Sequence, residues 1–209
     1  MTDDLERRLS AKLDPGPDPV PYLDLDELRA GLAARAARAG LLDVARGTYD
    51  SPIGSLTILV TLRGLVRLSY PGEGVADQLA EIAERISPRI LEAPERTDGV
   101  RRQLDEYFAG RRQSFDVPVD WRLVRGFAGD VLRATAAIPF GSVSSYRQVA
   151  ALAGAPNAYR AAGNALGSNP IPIVVPCHRV LHAAGGLGGY TGGLDRKRYL
   201  LRLEGAIPG

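Results

Sequence analysis

The stretch Asn169-Pro170-Ile171-Pro172-Ile173-Val174-Val175-Pro176-Cys177-His178-Arg179-Val180 restricts what this chain can fold into more than any other. Each of its three prolines fixes its own φ and pushes the preceding residue towards extended backbone, so a stiff, mostly buried rod is expected to lead up to the only cysteine among 209 residues. A lone cysteine is most often inert core. Cys177, however, is followed at once by one of only two histidines, then by an arginine and by the glycine-rich run Gly185-Gly186-Leu187-Gly188-Gly189-Tyr190-Thr191-Gly192-Gly193. A thiolate at neutral pH needs electropositive neighbours and a base, and a substrate needs backbone that it can approach closely. Neighbours on a regular strand point to opposite faces, so His178 can serve Cys177 only if the chain turns there or a water bridges the two.

Taken together, Asn169-Pro170, Pro176-Cys177-His178-Arg179-Val180, Gly189-Tyr190-Thr191-Gly192-Gly193 and Leu203-Glu204-Gly205 resemble, in order and spacing, the active-site signature of the O6-alkylguanine-DNA alkyltransferases. The resemblance covers residues 45–209 and is tight over 139–205. It implies that Cys177 takes the alkyl group from O6-alkylguanine, and also from O4-alkylthymine, in DNA, as a thioether, once per molecule and with no cofactor or metal. By the same resemblance Glu204 orients His178, which reaches the thiol through a water. Asn169 ties the helix-turn-helix to the active-site loop, and Tyr146 crowds the target phosphate and donates to the departing purine. Tyr190 and Thr191 wall the pocket with Val180 and Pro172, and the carbonyls of Cys177 and Val180 accept from the base's exocyclic amine. Arg179 is expected as an ion-pair partner, and His182 as a surface residue without a role.

An alkyl group on guanine O6 lies inside the duplex, so a thiol reaches it only if the nucleotide is turned out of the stack. Residues 146–153 and 157–166 read as two helices around the break Gly154-Ala155-Pro156, a helix-turn-helix candidate. The second is almost free of bulk, with Ala158, Ala161, Ala162 and Gly163 around one long cation, Arg160. A smooth helix is equally a tight packing face. The resemblance implies instead that it enters the minor groove of double-stranded DNA, with Arg160 filling the gap left by the flipped nucleotide. Tyr159, Phe127-Ala128 and Leu132 depart from the family pattern, which usually has alanine at the first of these positions.

Charge agrees with a polyanionic partner. The net +2 conceals a last third, residues 141–209, with seven basic residues against two acidic ones, whereas residues 1–44 carry nine acidic against six basic. No apolar run suits a membrane span and no signal-peptide core is evident, so a cytoplasmic protein is expected, a monomer able to cluster on DNA. One cysteine leaves no intrachain disulfide and no multi-cysteine zinc site.

Three regions are expected. Residues 1–44 form a helical extension outside the family resemblance, with helices over 4–13 and 24–39 joined by a proline-rich linker. Residues 45–121 form an α/β (α+β) subdomain: an antiparallel hairpin over 55–62 and 65–70, helices over 75–86 and 97–108, and a strand over 114–119. Residues 122–209 form a mainly helical subdomain with a helix-turn-helix of winged-helix type, its first helix over 126–138. Three other functions share some of these features. A non-catalytic damage-binding relative would keep the pocket without a working thiol, a thiol hydrolase would use Cys, His and Glu with repeated turnover, and a plain regulator would read the major groove.

Overall fold

The computed structural model describes residues 25–183 and 185–208. The helix expected over 4–13 and the linker after it lie outside them. The first described element is helix α1, Leu25–Arg38, and Gly40 beyond it takes φ 67°, the left-handed stop that glycine favours. Three strands follow, β1 (Val44–Ser51), β2 (Gly54–Thr61) and β3 (Gly64–Ser69), then helix α2 (Val75–Arg85), strand β4 (Ile90–Glu92) and helix α3 (Asp98–Phe108). The sheet order is β3-β2-β1-β4, antiparallel except that β4 runs parallel to β1. A bulge between Leu59 and Val60 shifts the register of β2 against β3.

Alternation along the strands loads both faces of this sheet. Leu56, Ile58, Leu65 and Leu68 turn to the main core with Leu104 and Tyr107 of α3, while Val44, Leu59 and Val66 meet Ile82 of α2 on the other side. All are essentially buried, and each such aliphatic side chain contributes about 1.5–3 kcal/mol. The strand expected over 114–119 is not formed. Val119 makes one isolated bridge to Leu65, and Pro118, which has no N–H to give a ladder, only accepts from Leu65.

The second half is helical: α4 (Gly126–Ala136), α5 (Tyr146–Leu152), α6 (Tyr159–Gly167) and α7 (Leu194–Leu203). Ser145 caps α5 in a reciprocal capping box with Gln148. Asn157 does not open α6; Ala158 holds the N-cap position without a side-chain hydrogen bond. A two-residue parallel ladder joins β5 (Ser144–Ser145) to β6 (Val180–Leu181), and so fastens the start of α5 to the chain just after Cys177. The main core runs through both halves without a break, since Val131, Leu132, Val149, Ala162 and Leu166 pack into the cluster that holds Leu56 and Tyr107. Among the described residues no helix is long and apolar enough to cross a membrane.

Candidate active site

The approach to Cys177 is not the extended rod that its prolines suggest. Residues 170–175 form a buried turn, in which Val174 N–H donates to the Pro172 carbonyl and Val175 N–H to that of Ile171. Ile173 sits at φ 73°, the one non-glycine residue with positive φ among those described. Proline restrains φ but does not prevent turning, and here Asn169 directs the turn from inside. Its Oδ1 accepts from Ile171 N–H, and its Nδ2 donates both to the Val175 carbonyl at 2.8 Å and to Cys177 Sγ at 3.1 Å. The chain then enters a single 3₁₀ turn, Cys177–Arg179.

Behind the thiol lies a buried polar cluster centred on Glu204, which ends α7. Its Oε1 accepts from Tyr107 Oη (2.7 Å) and Arg179 Nη2 (2.9 Å) and meets His178 Nε2 at 2.9 Å; Oε2 accepts from Arg179 Nε at 2.8 Å. Burial pushes this carboxyl up, but the hydrogen bonds from His178 and Arg179 outweigh it and hold it at about 2. It is therefore an ionised acceptor, so Nε2 of His178 must carry the proton. Burial also keeps the imidazole below its ordinary range, that is, neutral. The lone pair is thus left on Nδ1, a buried atom with no hydrogen-bond partner in the described protein.

Cys177 is 7% exposed and lines a cavity of about 610 Å³. Tyr146, Arg160, Gly163, Tyr190 and Thr191, all singled out in the sequence, line this cavity with Cys177; so do Arg147, Tyr159 and His182. His182, expected as a surface residue without a role, is exposed, yet its ring lies 5.2 Å from that of Tyr146 at the cavity wall. Gly188 allows the wall to close. At φ 70°, a Cβ there would come within 2.5 Å of Tyr146 Oη.

His178, Glu204 and Asn169 stand behind the thiol, outside the lining. Two pocket expectations fail: Pro172 and Val180 are buried in the turn and core and do not line the cavity. A third fails on α6. Ala162 is fully buried with Ala165 and Leu166 on the inner face, so it cannot touch a groove, whereas Ala161 is exposed and Ala158 and Gly163 are half-buried. Small size had grouped all four, but helical periodicity separates them. The carbonyls of Cys177 and Val180 are already engaged, by Val180 N–H and by Lys197 Nζ, although each keeps a second lone pair.

Lys197 went unread in the sequence. It is fully buried, 2.7 Å from the Val180 carbonyl and 3.4 Å from that of Gly189. Burial lowers it to about 8, against the opposing pull of Cys177. Burial likewise pushes the thiol up to about 11, opposed by the Asn169 hydrogen bond and the Lys197 charge. The signal was available: Lys197 falls at helical spacing with Leu200 and Leu201, the other buried residues of α7. Two tyrosines of the first half were also missed. Tyr107 reaches Glu204, and Tyr70 Oη lies 2.6 Å from Tyr190 Oη, so both brace the site from the sheet side. The basic surplus of the last third is smaller at the surface than the count implies because Lys197 is interior; the buried Arg179–Glu204 pair removes one charge of each sign and leaves the difference unchanged.

Comparison with known proteins matches the same two halves. Residues 44–121 fit the model of the "6-O-methylguanine DNA methyltransferase, ribonuclease-like domain", and residues 126–206 that of the "6-O-methylguanine DNA methyltransferase, DNA binding domain". A methylated-DNA–protein-cysteine methyltransferase of Mycolicibacterium paratuberculosis is 45% identical over 157 residues, covering 75% of this chain and 90% of that one. The Homo sapiens protein of the same name is 38% identical over 170 residues, covering 78% and 81%. The crystal structure of Mycobacterium tuberculosis OGT in complex with DNA superposes with a TM-score of 0.67 at 41% identity, covering 78% of this chain and 94% of that one. Sequence, fold and matched domains agree, and the chain belongs to the methylated-DNA–protein-cysteine methyltransferase (O6-alkylguanine-DNA alkyltransferase) family.

Proposed function

We propose that this protein repairs DNA by moving the alkyl group of O6-alkylguanine onto Cys177, irreversibly and once per molecule. The observation that carries this reading is a thiol that lines an open cavity and takes the Asn169 amide hydrogen bond, followed in the chain by a neutral imidazole whose Nε2 is held by Glu204 and whose Nδ1 is left free. In the proposed reaction a water passes the thiol proton to His178 Nδ1, and the thiolate attacks the alkyl carbon in line. The S–C bond forms as the C–O6 bond breaks, the electron pair stays on the purine, and the proton held by His178 returns to the leaving base. Tyr146 donates to that base from the cavity wall. A thioether has no good leaving group and the chain has no second thiol to resolve it, so turnover stops at one.

Kinship with a protein crystallised on DNA supports DNA as the partner. The exposed and half-buried small residues of α6, Ala158, Ala161 and Gly163, support an approach to the minor groove, with Arg160 at the cavity mouth as the residue that replaces the flipped nucleotide. We take 45–121 as the bracing subdomain and 122–209 as the DNA-binding and transfer subdomain, acting as a monomer. Intact-mass analysis after mixing with duplex DNA containing O6-methylguanine tests the reading. One added methyl per chain, on Cys177 and absent in Cys177→Ala, is expected; an unchanged mass, or product formed beyond one equivalent, would overturn it.

A further inference from the structure

Tyr159 is the first residue of α6, 38% exposed, and it lines the cavity between two arginines. The guanidinium carbon of Arg147 lies 5.5 Å from its ring centroid and that of Arg160 lies 5.8 Å away, both within cation–π range. Neither guanidinium has a carboxylate or hydrogen-bond partner among the described residues. Two like charges at one rim repel, and long arginine side chains left alone sample many rotamers. The negative face of one ring offsets both effects. It gives the two cations a common seat beside the opening through which a base must pass to reach Cys177.

We infer that Tyr159 is a positioning residue for the duplex reaction: its ring holds Arg160, and Arg147 with it, at the cavity mouth in the orientation that the duplex meets. This rests on the proposed role of α6 in opening the duplex. Arg160 then has less conformational freedom left to lose when it enters the stack, so the gain is specific to a substrate with a stack to fill. A single strand carrying the same alkylated base has no such gap and draws little on it.

Single-turnover transfer from duplex and from single-stranded oligonucleotides containing O6-methylguanine is to be compared for wild type, Tyr159→Ala, Tyr159→Phe and Arg160→Ala. Tyr159→Ala is expected to slow the duplex reaction about two- to tenfold, the loss of one or two exposed cation–π contacts, and the single-strand reaction much less. Tyr159→Phe, which keeps the ring, should restore the duplex rate. Equal losses on both substrates would make Tyr159 merely structural, and an undiminished duplex rate would also overturn the inference. If Arg160→Ala slows the duplex reaction and Tyr159→Ala does not, only the inference about Tyr159 fails. If neither does, the reading of α6 fails with it.

Discussion

Replacing Glu204 by glutamine keeps the shape at the centre of the buried cluster and removes its charge. An amide has one oxygen, so it cannot accept at both positions. With that oxygen serving Tyr107, His178 and Arg179 Nη2, the amide nitrogen faces Arg179 Nε, donor against donor. Arg179, 5% exposed, is left without its counter-charge. The shift of Glu204 from its ordinary 4.5 to about 2 puts the cost near 3 kcal/mol, the lower end of what removing one partner of a buried pair costs. For a chain of this size that is a fall of roughly 6–12 °C in Tm. Because the folded value is depressed, this stabilisation is fully present above pH 4.5 and is lost as pH falls through about 2. The gap between wild type and Glu204→Gln, measured by denaturant unfolding, should therefore be about 3 kcal/mol at pH 7. The carboxylate's own share of it narrows at low pH, where His178, held up by that same carboxylate, contributes with the opposite sign. A gap under about 1 kcal/mol at pH 7 would refute the claim that an ionised Glu204 holds the cluster together.

Lys197→Met removes the buried charge that opposes desolvation of Cys177, so the thiol should rise further and iodoacetamide modification at pH 7 should slow. An unchanged rate would exclude an electrostatic role for Lys197. Tyr107→Phe leaves the ring in the core and withdraws one hydrogen bond from a buried carboxylate; the expected cost is about 1.5–3 kcal/mol, read from the urea midpoint. Gly188→Ala should destabilise by about 1–2 kcal/mol for its left-handed φ and also displace Tyr146, so duplex transfer falls further than the Tm shift accounts for; wild-type transfer would show that the close approach is dispensable.

Regular periodicity made much of the fold legible. The hairpin of β2 and β3 and the helices α2 to α6 follow from alternation, from glycine stops and from a serine cap, all of which act within a few residues. What stayed hidden depends on distant partners. β4 has three residues, too few for a period to register, and exists because β1 offers it a parallel edge. The apolar segment before Val119 reads as a strand, yet it is held by a single bridge. The proline-braced stretch reads as extended, yet one asparagine side chain with three hydrogen bonds folds it into a turn.

The candidate site divides along the same line. Cys177, His178, Asn169 and Glu204 could be named because each sits in a short motif. Tyr70, Tyr107 and Lys197 have no motif, and only folding brings them to the sulfur or to the groups that serve it. Their burial bears on the chemistry. A thiol pushed up to about 11 is a poor nucleophile at neutral pH, so the free protein keeps Cys177 largely protonated. The same burial keeps His178 neutral, with its lone pair available on Nδ1. The base and the acid thus coexist unreacted behind the cavity until an alkyl carbon is seated against the sulfur. A protein that can react only once gains from this, because a permanently ionised thiol would be consumed by any soluble electrophile before it met a damaged base.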